Sequence, residues 1–228
     1  MRNIKAVFTK QLLSYLKNPG MWGAPASFLL LVFVFLVLVP EIDMALISAQ
    51  FTVMFVGISM IGVSGAFIAE DRLTMNLRFM GMAGVKPYQY MIGTCGALLL
   101  ISFGTLILFG LMGLHSGQAL INFLIVSMLG AASSMLLGVT LSLSKAAPFS
   151  PIAGMLLGVG PMFSEANEVL SRIFSFVYTQ HVTDALREDL VAGIPDLQVV
   201  LINMAIIVAA FIVINFRNGL DGEKIKRS

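Results

Sequence analysis

Ala69-Glu-Asp-Arg-Leu-Thr-Met-Asn-Leu-Arg-Phe-Met-Gly-Met-Ala-Gly-Val-Lys-Pro-Tyr-Gln-Tyr-Met-Ile-Gly93 is the stretch on which the fold turns. It holds Glu70, Asp71, Arg72, Arg78 and Lys86, the only formally charged residues between Asp43 and Lys145. Long uncharged apolar runs flank it on both sides. A charge is costly in hydrocarbon, so the stretch belongs in water, between two segments that cross a membrane.

Composition agrees. The apolar fraction is 58%, charged residues make up 11%, and the mean hydropathy is +0.93. Soluble domains are about a quarter charged, so 228 residues of this kind belong in a bilayer rather than around one water-facing core. A net charge of +2 gives no reason to expect nucleic acid. Cys95 is the single cysteine, which leaves no intrachain disulfide framework. The basic, amphipathic start followed by a long apolar run reads as a retained span, not a cleaved signal. No GxxxxGK(S/T) sequence occurs, so the chain carries no P-loop.

A bilayer core about 30 Å thick needs roughly 20 apolar residues per helix. Spans are expected over residues 21–39, 45–69, 90–114, 119–143 and 197–216, each bounded by a charge, a proline or a polar cluster. Residues 148–163 are apolar but short and contain Pro151 and Pro161. Parity makes this a sixth span. Arg2, Lys5, Lys10, Lys17, Arg72, Arg78, Lys86, Lys145 and the basic tail at 217–228 all fall on the cytoplasmic side only if the crossings are even in number. The expectation is an all-α membrane protein with six transmembrane helices and both termini in the cytoplasm.

Two further elements flank the spans. Residues 1–18 read as an amphipathic interface helix, with Ile4, Val7, Phe8, Leu12, Tyr15 and Leu16 sharing a face. Residues 164–196 read as an outer helical hairpin. Its first helix is capped by Ser164 with Glu165 and Glu168 in the first turn, and its second runs from about Thr183 to Ala192. The pair either dips back into the membrane or lies on its surface.

Residues 70–80 have helical spacing. Leu73, Leu77 and Met80 line one face, and Asp71, Thr74 and Arg78 the other, before Gly81 and Gly84 break the helix and Pro87 starts the next. With Ala83, Val85, Tyr90 and Gly93, this stretch resembles the signature loop of ABC-2-type transporter permeases. Leu73 stands where that family usually has Gly, and Thr94 where it often has Lys. The layout of interface helix, six spans and outer helices is similar as well.

The resemblance implies an exporter subunit in a cell membrane, expected to be a bacterial plasma membrane. The subunit is not itself an enzyme. It pairs with a second permease, identical or similar, and a separate ATPase supplies ATP and Mg. Residues 70–86 would be the coupling helix, with Glu70, Asp71, Arg72, Thr74, Leu77, Arg78 and Lys86 as ATPase contacts. Glu165, Glu168, Phe174, Phe176 and Tyr178 would belong to an outer gate. Gln50, Met54, Ser59, Met128 and Met162 are candidates to line a path for an amphipathic or hydrophobic cargo such as a peptide, drug-like molecule or lipid. Methionine suits adaptable apolar surfaces.

Two other classes compete. Gly62-Val-Ser-Gly65 matches the GxSG of an intramembrane serine hydrolase or protease, but Ser64 would need a histidine within a span, and His115 and His181 both fall in outer loops. A non-transporting anchor or immunity protein would lack both cargo and ATPase. No Asp, Glu, His or Cys set has the spacing of a metal site.

Overall fold

The computed structural model describes residues 2–39, 41, 43–144, 147–164, 168–188, 190–191, 193 and 197–218. Among them every regular element is helical. The basic tail beyond residue 218, Lys145 and Glu165 lie outside the described residues.

Helix α1 spans Arg2–Lys17 and α2 spans Pro19–Leu38. Asn18 separates them and caps α2, its side chain accepting from the Gly20 N–H at 3.1 Å, with Pro19 in the first turn where its missing N–H costs nothing. Helix α3 is one continuous run, Met44–Leu73. Asp43 caps it by accepting from the N–H groups of Ala45 and Leu46. Helix α4 is the short Asn76–Met82. Helices α5, Pro87–Met112, and α6, Gly117–Leu143, form an antiparallel pair. The chain reverses between them at Leu114 and Gly117, both with positive φ. Helix α7 is Ser150–Ser164, α8 is Glu168–Phe174, α9 is Tyr178–Arg187 and α10 is Gln198–Asn218.

Among the described residues, three helices are long and apolar enough to cross a membrane: Met44–Leu73, Tyr88–Met112 and Gly117–Leu143. Three shorter apolar stretches accompany them, Pro25–Leu38, Ser150–Ser164 and Gln198–Val213. Helix α7 is about 22 Å long at 1.5 Å per residue, in keeping with the short segment expected over 148–163.

Helix α6 is the hub, packed by α3, α5, α9 and α10. Small residues bring the backbones together. Gly138 of α6 sits against Ile61 and Ser64 of α3, and Gly57 of α3 sits against the backbone of Gly158 in α7. That second contact falls inside a π-helical turn, Phe55–Ser59, which widens α3 where α7 leans on it. Phe55, Phe109, Phe123, Val53, Val56 and Val126 fill the centre.

Three expectations change. The interface helix packs on protein. Val7 and Phe8 seat over Gly93 and Gly96 of α5, where a Cβ at Gly93 would come within 2.8 Å of Val7. The buried stripe is Val7, Gln11 and Tyr15, and Leu16 stays 61% exposed. Second, Ser164 ends α7 rather than capping α8, because its hydroxyl donates back to the Pro161 carbonyl at 2.7 Å and lies 2.7 Å from Gln180 Oε1. Third, the second hairpin helix begins at Tyr178, five residues before the expected Thr183. Tyr178, Thr179, Val182, Thr183, Ala185 and Leu186 are all buried among α3, α6, α7 and α10.

Candidate functional site

The charged stretch does not fold as one helix. Helix α3 continues through Glu70, Asp71 and Arg72 and stops at Leu73. The Thr74 hydroxyl and N–H both donate to the Glu70 carbonyl, at 2.7 and 2.9 Å, and close the last turn. Met75 then adopts a left-handed conformation, φ 55°, and α4 starts in a new direction. The helical faces read from an unbroken 70–80 run therefore do not hold. Leu73 is 85% exposed, whereas Leu77 is buried against Ile68, Tyr90, Val139 and Leu143.

Asp71 departs furthest from expectation. Placed on the outer polar face by helical spacing, it is 3% exposed. Its carboxylate accepts four hydrogen bonds: from Lys10 Nζ at 2.5 Å, Gln11 Nε2 at 2.6 Å, Tyr90 Oη at 2.8 Å and Asn76 Nδ2 at 3.1 Å. Because a carboxylate only accepts, Gln11 must turn its amide nitrogen inward. The same nitrogen lies 3.3 Å from Thr94 Oγ1. The donors come from α1, α4 and α5, while the acceptor belongs to α3. A carboxylate this buried is stable only when paired and hydrogen-bonded in this way. The sequence signal was present in the four residue types but scattered over positions 10 to 90.

Arg72 is also committed within the chain, its Nη1 donating to the Ser142 carbonyl at 3.1 Å in the last turn of α6, where a cation is favourable. Thr74, Arg78 and Lys86 are exposed and Glu70 is half-buried. Beside them lie apolar side chains that sequence reasoning missed: Leu73 at 85%, Phe79 at 61% and Met82 at 58% exposure, with Met75 and Tyr88 near half. Between Leu73 and Tyr88 exposed apolar side chains thus occur together in the sequence with the exposed Arg78 and Lys86, while Asp71 and Leu77 are buried.

The hairpin residues separate. Glu168 pairs with Arg172 at 2.7 Å on the exposed side of α8. Phe174 is buried against Gly160 of α7, Phe176 is 79% exposed, and Tyr178 is buried with its hydroxyl 2.6 Å from that of Ser134. The candidate path residues differ in their surroundings. Gln50 accepts from Arg187 at 3.0 Å, Ser59 is buried with no hydrogen-bond partner, Met128 packs at the core edge and Met162 is 39% exposed.

Ser64 is fully buried and donates to the Met60 carbonyl of its own helix at 2.6 Å. Its hydroxyl is tied up as a helix-packing group, facing Gly138. Where α3, α6 and α9 begin or end together, a cavity of about 240 Å³ is lined by Asp43, Leu46, His115, Arg187 and Glu188. His115 stacks on Phe123 with ring centroids 5.0 Å apart. Its burial lowers the imidazole pKa, an effect that Asp43 partly opposes. Among the described residues no group of His, Cys, Asp or Glu could hold a metal ion.

In comparisons with known proteins, no family model matches the chain, and neither does any curated protein or solved structure.

Proposed function

We propose that this chain is the membrane subunit of an ATP-driven exporter of the ABC-2 type, crossing the membrane six times with both termini in the cytoplasm. One observation carries the reading. A short helix between two long apolar helices is tied down by Asn76 bonding to Asp71 and by the buried Leu77, and it carries Arg78, Phe79 and Met82 exposed. Leu73, Phe79 and Met82 would enter a groove of a separate ATPase, with Arg78 and Lys86 meeting acidic residues at its rim. Apolar side chains left exposed this close together in sequence suit a contact site.

The hairpin supports the same reading. Ser134 lies 17 residues into α6, about 26 Å along it, so Tyr178 enters deep among the spans and α9 climbs back toward the α3 and α6 starts. A helical hairpin sheltered by protein at that depth is compatible with a membrane and would form a plug on the outer side. The spans offer neutral polar groups and methionines rather than charges, which favours an amphipathic or hydrophobic cargo. A second permease, identical or similar, would complete the path.

The experiment is co-purification with any P-loop ATPase found encoded beside this gene, comparing wild type with Phe79→Ser and with Leu73→Ser/Met82→Ser. The reading expects the wild-type complex to form and both variants to lose it while remaining monodisperse. An ATPase bound equally well by all three would remove the assigned contact. Ser64 in a hydrolase is not favoured, because its hydroxyl is buried and bonded to its own helix.

A further inference from the structure

We propose that Asp71 is a positioning residue that locks α1 to the α3–α4–α5 junction, so that a push on α4 moves the N-terminal helix with it. The inference rests on the coupling role given above to α4, and on the geometry of one carboxylate. Asp71 is the last buried residue of α3 before the break at Thr74 and Met75. It collects Lys10 and Gln11 from α1, Asn76 from α4 and Tyr90 from α5. Four elements that could otherwise shift independently share one acceptor.

The left-handed Met75 makes this necessary. A break in the backbone between α3 and α4 would act as a hinge if nothing crossed it. Asn76 reaches back across the break to Asp71 Oδ1, the same oxygen that receives Lys10. Displacing α4 therefore also disturbs the bond that holds α1. On the far side, α1 rests in the Gly93–Gly96 groove of α5, one turn beyond Tyr90. That groove gives shape, and Asp71 gives the direction-specific bonds. Lys10 stays 39% exposed while its partner is 4% exposed, so the joint opens toward water from the lysine side.

The test uses the full chain with Cys95→Ala, Asn3→Cys and Gln89→Cys, two positions whose native side chains lie 3.3 Å apart across α1 and α5. A short bismaleimide should join them quickly. Adding Asp71→Ala should slow the joining by about tenfold or more, the scale expected for losing hydrogen bonds to a charged group. This arm needs neither ATPase nor cargo, so it can fail or succeed apart from the exporter reading. An unchanged rate would overturn the latch.

In the complex with its ATPase, Asp71→Ala should uncouple ATP hydrolysis from export, and the covalent staple should restore coupling. Slowed joining without restoration would mean that Asp71 acts by some route other than holding α1, which also overturns the proposal. If Asp71→Ala does not give monodisperse protein, Lys10→Met and Asp71→Asn replace it. Each removes the ion pair but leaves shape and some acceptor capacity, so slower joining is expected from both, and a wild-type rate in both would refute the latch.

Discussion

The hydroxyls of Ser134 and Tyr178 meet at 2.6 Å with both residues buried, which fastens the first turn of α9 to the far half of α6. Neither hydroxyl has water to turn to, so each satisfies the other. Tyr178→Phe and Ser134→Ala should each cost about 1 kcal/mol, and the double variant less than their sum, because one bond is lost only once. Unfolding in detergent micelles measures all three. Strictly additive losses would show that the two groups do not interact.

Gly138 and Ser64 make a second pair with an asymmetric prediction. A Cβ at Gly138 would collide with Ser64 Oγ and lie 2.5 Å from the Ile61 carbonyl. Gly138→Ala should therefore destabilise by about 1–3 kcal/mol through overpacking. Ser64→Ala should change stability little, since its hydroxyl only returns to its own helix at the Met60 carbonyl. Combining them should recover part of the loss, because the hydroxyl is one of the two obstacles. The same burial predicts that a fluorophosphonate probe leaves Ser64 unlabelled, and labelling that disappears in Ser64→Ala would revive the hydrolase reading.

Leu73, Phe79 and Met82 give a prediction with opposite stability and binding outcomes. Being 85%, 61% and 58% exposed, they contribute little to this chain's own packing. Single changes to Ser should stay within about 0.5 kcal/mol of wild type in stability. Loss of the ATPase complex in the same proteins is the expected counterpart. A large stability loss would instead place these side chains against this chain or its copy.

These contrasts show what the sequence makes legible. The long apolar helices, their ends and the short seventh helix follow from hydropathy, prolines and caps such as Asn18 and Asp43, all of which act locally. The orientation of residues 70–80 was not legible, because a single left-handed residue at Met75 resets the helical phase. Asp71 looked like a solvated charge because its four donors are spread from 5 residues away, at Asn76, to 61 residues away, at Lys10. The placement of α9 stayed open between the two alternatives, because whether its polar stretch, with Thr179 and Thr183 buried, is sheltered depends on the helices that pack around it. Periodicity reports which residues share a face, and only the packing of other helices decides what that face meets.

His115 supplies a dependence on pH. Its ring stacks on Phe123, and Nε2 is buried without a hydrogen-bond partner. Desolvation lowers its pKa below the ordinary 6.5, against a smaller opposing pull from Asp43. The unfolded chain then binds the proton more readily than the folded one. The stability linked to this group is present above about pH 6.5 and is lost as pH falls through the lower folded-state value. Melting temperature should drop on acidification from neutral pH. His115→Phe, which keeps a ring against Phe123 and removes the titrating nitrogen, should lose that part of the drop. Arg187 and Glu188 line the same cavity and are present in both proteins, so the comparison isolates the ring. Parallel melting curves for wild type and His115→Phe between pH 7 and about pH 5 would show that the ring is solvated in the folded protein.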